Sequence, residues 1–323
     1  MNRYHLTHVT EFHYDGPVSE SYNEVRLRPM HDDRQSCLSF TLTTSPRSTP
    51  VSYRDSLGNW VHQFNVLPEH SGLRVVGEST ILVHETPSVA ADSKSLAELD
   101  ANVQCLYDEY FDFLTPTTYV PHLHRMNELV EATLQAGGGS VLGFVQATCD
   151  LIHDRFRYVK GATHVQSSIE DSLSLGAGVC QDFAHLMLGI VRMRGLPGRY
   201  VSGYLVPQPN NGNGAGPEEV IGGQASHAWT EIYIPGSGWT GFDPTLGKPV
   251  GLRHVRVAYG RDYGDVPPVR GVYKGTAGQR LSVDVRVRPG LNGDGYEQLQ
   301  ETGAKDPDRG PEDRPQQQAQ QQQ

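Results

Sequence analysis

Two hydrophobic periods divide this chain, and the change between them near residue 96 constrains its fold more than any single motif. Before it, apolar residues recur at every second position. In SCLSFTLTTSP, Leu38, Phe40 and Leu42 alternate with Ser39, Thr41 and Thr43, the period at which a strand turns one face to a core. WVHQFNV and LRVVGESTILV repeat the pattern, and DSLGN and EHSG supply the Gly, Asn and Asp that turns require. Residues 1–86 are therefore expected to form an N-terminal antiparallel β-sandwich-like domain. It contains no cluster of chemistry-bearing side chains: His5, His8 and His13 fall on one expected strand as exposed or packing residues.

From Leu96 the period lengthens to that of helices, with Val103, Leu106, Tyr107, Tyr110 and Phe111 at i, i+3, i+4 spacing and a second stretch near Leu123 to Leu134. A third runs from Val141 to Phe156, where Leu142, Val145, Cys149, Ile152 and Phe156 share a face and make Cys149 a core residue. The AGGGS at 136–140 breaks the second from the third. A fourth, amphipathic helix is expected from about Val179, presenting Phe183, Ala184, Met187, Leu188 and Val191 to a core and stopped by Gly195 with Pro197 beyond. RYVSGYLV, SHAWTEIYI, WTGFDPT and, at 281–289, LSVDVRVRP then read as strands. Helices followed by antiparallel strands make an α+β domain over 96–290, with core motifs at 142–247 and C-terminal strands at 253–289. The segment from Val206 to Gln224 is expected to be a long polar loop, and the Gln-rich 291–323 a disordered tail.

Length and charge exclude several classes. The 323 residues suffice for two cores, and no apolar run approaches the ~20 residues that a bilayer demands. A formal charge of −10, from 27 Lys+Arg against 37 Asp+Glu, argues against nucleic acid as a partner, since phosphate contacts need a basic face. Cys37, Cys105, Cys149 and Cys180 are widely spaced, with no CxxC, so neither a disulfide framework nor a structural zinc site is suggested. With no secretory segment in MNRYHLTHVTEFHY, a cytoplasmic location is the expectation.

GAGVCQDFAHLML, Gly176 to Leu188, sets Cys180 between a glycine turn and a helix start. A buried packing role is the ordinary fate of a lone cysteine. A helix N-terminus and a neighbouring imidazolium are, however, the two devices that make a thiol nucleophilic. His227 in SHAW supplies the imidazole, and Asp243 in FDPT, across the PGSG hairpin, could orient its far nitrogen. Gln181, Asp182 and His185, within one turn of the cysteine, read as buried hydrogen-bonding residues. Trp229 and Trp239 could line a cleft, though strand aromatics are ordinarily core. A metal reading would gather His153, His164, His227 and Cys180, a spacing that fits no zinc pattern.

GVCQDFAHLMLGIVRMRGLPGRYVSGYL followed by SHAWTEIYIPGSGWTGFDPT resembles the transglutaminase-like core. The β-rich front half resembles the N-terminal domain of bacterial transglutaminase-like proteins, a group also labelled cysteine proteases, and GRDYGDVPPVRGVYKG resembles their C-terminal segment. The resemblance implies a papain-like fold, no cofactor and no metal, with Cys180 as nucleophile, His227 as base and acid, and Asp243 as orienter. It implies acyl transfer or hydrolysis on a peptide or isopeptide amide through a thioester, with an amide substrate and a primary amine as possible acceptor. The rival expectations are a catalytically inactive module of the same fold that only binds, and a metal-binding protein.

Overall fold

A single long strand organises the front of the molecule, whose computed structural model describes residues 1–85, 94–207 and 226–290. Most of the polar loop expected at 206–224, and the expected tail at 291–323, lie outside the described residues. β1 (Asn2–Val25) shifts register between His13 and Val18, where Gly16 and Pro17 interrupt the ladder, because proline brings no N–H to it. Its first half pairs with β5 (His70–Val83), which carries β2 (Gln35–Ser45) on its outer edge. Its second half pairs with β4 (Trp60–Val66), next to β3 (Val51–Arg54). The result is a curled antiparallel sheet whose two arms enclose Phe12, Tyr14, Val25, Phe64, Leu73 and Val75.

Helices come next: α1 (Leu96–Ala101), α2 (Val103–Tyr110), α3 (Asn127–Ala136) and α4 (Val141–Arg155). β6 (Arg157–Tyr158), α5 (Ile169–Leu175) and β7 (Ala177–Gly178) lead into α6 (Cys180–Met193). α6 was expected to be amphipathic, yet it is buried on nearly every side, because α3, α4 and α5 cover the faces left free by the strands beneath it. Those strands are β8 (Gly198–Leu205), β9 (Ser226–Ile234), β10 (Gly238–Asp243), β11 (Lys248–Pro249) and β12 (His254–Gly260). They form a five-stranded antiparallel sheet in the order β11-β10-β9-β8-β12.

The two units share material in a way that the expected boundary does not capture. β12 lies in the second sheet, but β13 (Val269–Lys274) and β14 (Gln279–Pro289) pair with β1 and complete the front sheet. The chain thus returns to its own beginning, a long-range pairing that alternation alone cannot reveal. Tyr4, Leu6, Ile81 and Val83 of the front sheet join the core that holds Phe144, Phe183 and Ile232. A buried polar seam adds to this union. Gln35 Nε2 donates to the Arg256 carbonyl at 2.7 Å while its Oε1 accepts from Arg256 N–H at 2.8 Å. Arg256 also reaches Asp32 and, at 2.7 Å, Glu231, which takes Arg199 at 2.7 Å and Arg34 at 3.3 Å as well.

Candidate active site

The start of α6 is built so that Cys180 occupies its first helical position. Gly176, with φ of 57°, ends α5, and Gly178 passes so close to Asp182 that a Cβ there would lie 2.8 Å from that side chain. Asp182 accepts hydrogen bonds from Val179 N–H at 2.8 Å and from Thr163 Oγ1 at 2.5 Å, which fixes the angle at which the chain enters the helix. Burial pushes its carboxyl up, and these bonds only partly oppose that. The thiol of Cys180 is therefore presented where unpaired N–H groups of a first turn converge.

His227 stands near the start of β9 and Asp243 ends β10, so the antiparallel pairing of these strands brings the two together. Nε2 of His227 donates to Asp243 Oδ2 at 2.7 Å. Nδ1 is buried without a conventional hydrogen bond and is left for the Cys180 side, whose thiol interacts with the ring. Burial opposes charge on this imidazole, but the Asp243 carboxylate and the Cys180 thiol outweigh it and lift its pKa to about 10. Asp243 is fully buried too, and there His227 and then His254 hold its carboxyl well below the usual range against the cost of burial. Its other oxygen, Oδ1, accepts from Thr245 N–H at 2.9 Å and Leu246 N–H at 3.2 Å, a turn that FDPT favours because Pro244 offers no competing N–H.

The cleft above Cys180 and His227 has walls from both units. Gln181, Tyr200, Ser202, Tyr204 and Tyr263 line it from the α+β unit, and His8 and Arg26 come from β1 and the residue after it. His8, expected to be an exposed or packing residue, is buried and lines the cleft: its Nδ1 meets the Tyr204 hydroxyl at 2.9 Å and its Nε2 meets Thr10 Oγ1 at 3.0 Å. Burial holds this imidazole down to about 3, so it enters the cleft uncharged. Tyr263 arrives from the segment GRDYGDVPPVRG, and its N–H donates to His185 Nε2 at 3.2 Å, which explains a histidine one turn behind the cysteine. Gln181 donates to the Val165 carbonyl at 3.1 Å.

The two tryptophans lie outside the cleft lining. Trp229 is buried edge-on to His254, with ring centres 5.2 Å apart, and Trp239 packs under Arg199, its ring centre 4.4 Å from the guanidinium carbon. The four residues of the metal reading do not form one group: Cys180 and His227 meet, but His153 Nδ1 meets the Thr245 carbonyl and His164 meets Ser167 Oγ. A different set, His227, Asp243 and His254, has donor atoms within 4.8 Å of one another. Their hydrogen bonds argue against a cation there. Gly251 N–H donates to His254 Nδ1 at 3.2 Å, so the ring proton is on Nε2, which points at Asp243 Oδ2 at 3.0 Å. The sequence offered no route to His254. It follows no motif, and it reaches Asp243 from β12 across the two strands that separate β12 from β10.

Residues 4–82 match the family model of the bacterial transglutaminase-like N-terminal region, and residues 129–244 that of the transglutaminase-like superfamily. An uncharacterized protein of Mycobacterium leprae is 33% identical over 287 residues, 89% of this chain and 99% of that one. One of Mycobacterium tuberculosis is 32% identical over 306 residues, 89% of this chain and 93% of its own. A 98-residue stretch, 29% of this chain and 14% of the other, is 34% identical to a protein-glutamine gamma-glutamyltransferase of Pseudomonas aeruginosa. Among solved structures, an inferred cysteine protease of Cytophaga hutchinsonii has a TM-score of 0.66 over 91% of this chain and 92% of that one, at 21% identity, a likeness of fold. Among the described residues, no helix is long and apolar enough to cross a membrane.

Proposed function

The chain belongs to the transglutaminase-like superfamily, and from that premise we propose that it is a thiol enzyme acting on amides, with Cys180 as nucleophile, His227 as base and acid, and Asp243 as orienter. The observation that carries this reading is the imidazole of His227, bound through Nε2 to a fully buried carboxylate at 2.7 Å while its Nδ1 faces the cysteine at the start of α6. In the first step the Cys180 proton passes to Nδ1 and the sulfur attacks the substrate carbonyl carbon. The tetrahedral oxyanion is met by the N–H of Cys180. The C–N bond then breaks, Nδ1 returns its proton to the departing amine, and a thioester remains. Water or a primary amine attacks it in turn, giving hydrolysis in one case and acyl transfer in the other. Amine transfer to a glutamine acyl group is the outcome favoured by the local likeness to a protein-glutamine gamma-glutamyltransferase.

The test is intact-protein mass spectrometry of the full chain after incubation with glutamine-containing peptides, with and without an added primary amine. Expected is an acyl adduct that maps to Cys180 and is absent from the Cys180→Ala variant. Its decay to free acid or to amine-linked peptide distinguishes hydrolysis from transfer. A chain that binds such peptides without ever acquiring the adduct, even at high peptide concentration, is a binding module and the reading fails.

A further inference from the structure

Asp243 is the most fully occupied side chain of the site. Thr245 and Leu246 N–H groups fill one oxygen, and two imidazoles share the other. A carboxylate needs no second histidine in order to orient the first. His254 comes from outside the residues matched by the superfamily model, on a strand separated from β10 by two others. We propose that His254 is a positioning residue: by donating its Nε2–H to the oxygen that also receives His227, it fixes the carboxylate of Asp243 between the two rings and limits how tightly that carboxylate retains the charged form of His227. This inference rests on the reading of His227 as the group that passes its proton to the leaving amine.

The geometry gives His254 one role in that arrangement. Its Nδ1 is committed as acceptor to Gly251 N–H, so the ring can only donate through Nε2, and its side chain is buried against the edge of Trp229. A donated N–H places the positive end of a dipole on Oδ2 and lessens the negative potential felt by His227. An acid that must release a proton each cycle works best when it is not held far above the working pH. His227, raised by a buried carboxylate, is the kind of group that needs such a restraint. The other titratable groups facing this cluster are Cys180 from α6, Cys149 from α4, whose thiol donates to the Asp243 carbonyl at 3.4 Å, and Tyr158 from β6.

The experiment follows the imidazole of His227 directly by nitrogen-15 NMR titration in the full chain, alongside the rate of acyl-adduct formation. His254→Phe keeps a ring of similar size and removes the donor. It should move the His227 midpoint upward by about half a pH unit or more, the shift expected for losing one neutral hydrogen bond to the carboxylate, and slow acylation by ~3-fold or more. His254→Gln, whose amide N–H can reach Oδ2, should restore both toward the unaltered protein. If the phenylalanine variant does not fold, His254→Asn supplies the same reading, because its short amide can still accept from Gly251 N–H but falls short of Asp243. A folded donor-less variant whose His227 midpoint stays put or falls overturns the proposal and leaves His254 a packing residue. The midpoint is read by NMR whether or not any peptide is acylated. Failure of the thiol-enzyme reading therefore shows separately, as a missing adduct in the unaltered protein.

Discussion

At the scale of single residues, the charge on Asp243 matters more than its shape. Asp243→Asn would keep an oxygen able to accept from Thr245 and Leu246 N–H, but would withdraw the negative charge that offsets the burial of His227. A group whose folded pKa is raised from 6.5 to about 10 adds stability that is fully present below pH ~6.5 and disappears as pH rises through ~10. The variant should therefore lose stability most at pH ~6, with the deficit shrinking toward pH ~10, and acylation should slow by ~10² or more. Equal deficits at both ends of that range in denaturant titrations would mean that Asp243 contributes hydrogen bonds and not charge. The thiols offer a second check. Cys149 is fully buried and burial pushes its thiol up, while Cys105 is exposed. Iodoacetamide at neutral pH should mark Cys180 ahead of Cys105, the natural internal reference, and leave Cys149 unmodified until the chain unfolds. Cys180, His227 and Asp243 were legible in the sequence because each stands in a local pattern with a chemical reason: a glycine turn before a helix, a histidine on a strand, an aspartate before proline. His254 and His8 were not: His254 is close to Asp243 in sequence but stands in no motif and on a strand two places removed from β10 in the sheet, and His8 meets Tyr204 only when the two ends of the fold come together.

At the scale of elements, the entry into α6 separates two kinds of glycine. Gly178→Ala would drive a Cβ against Asp182, 2.8 Å away, and so disturb the side chain that holds Val179 N–H and Thr163. Overpacking of this sort costs ~1–3 kcal/mol, and because it shifts the first turn it should also slow alkylation of Cys180. Gly176→Ala meets open space but must adopt a φ of 57°, a backbone penalty of ~1 kcal/mol that should leave the thiol's reactivity unchanged. Thermal melts and alkylation rates on the two variants distinguish a helix start that positions sulfur from one that merely folds. If both variants alkylate at the rate of the unaltered protein, the Asp182 contact does not orient Cys180. The same element shows where pattern reading stops. The apolar spacing of Phe183, Ala184, Met187, Leu188 and Val191 identified a helix and its inner face. Gln181, Asp182 and His185 were expected to be buried hydrogen-bonding residues beside the cysteine, and they are, but the spacing could not tell that Arg192 would be buried too, because a polar residue that finds partners inside looks the same in sequence as one that faces water.

At the scale of the whole molecule, the front sheet and the α+β unit stabilise each other, and Glu231 is where that dependence can be measured. Its carboxylate is buried, and although burial opposes its charge, Arg256, Arg199 and Arg34 pull its pKa down to about 2 from 4.5. Arg34 belongs to the front unit, and Arg256 is held in turn by Gln35 and Asp32 from the same side. A depressed carboxyl contributes stability that is present above pH ~4.5 and is lost as pH falls toward ~2, here about 3 kcal/mol by linkage. Glu231→Gln should therefore be destabilised at neutral pH, and its acid-unfolding curve should be flatter between pH ~4.5 and ~2 than that of the unaltered chain. A chain that begins at residue 96 should fare worse than this variant. It would strip β1 from β13 and β14, remove Tyr4, Leu6, Ile81 and Val83 from the shared core, and leave Arg256 without Gln35 and Asp32. It would also open the cleft wall to which His8 and Arg26 belong. Circular dichroism melts and Cys180 alkylation on that shortened chain decide the matter. Loss of cooperative unfolding together with loss of selective alkylation is expected, and a shortened chain that melts cooperatively and keeps a selectively reactive Cys180 would show that the front sheet is an appendage to the site and not one of its walls.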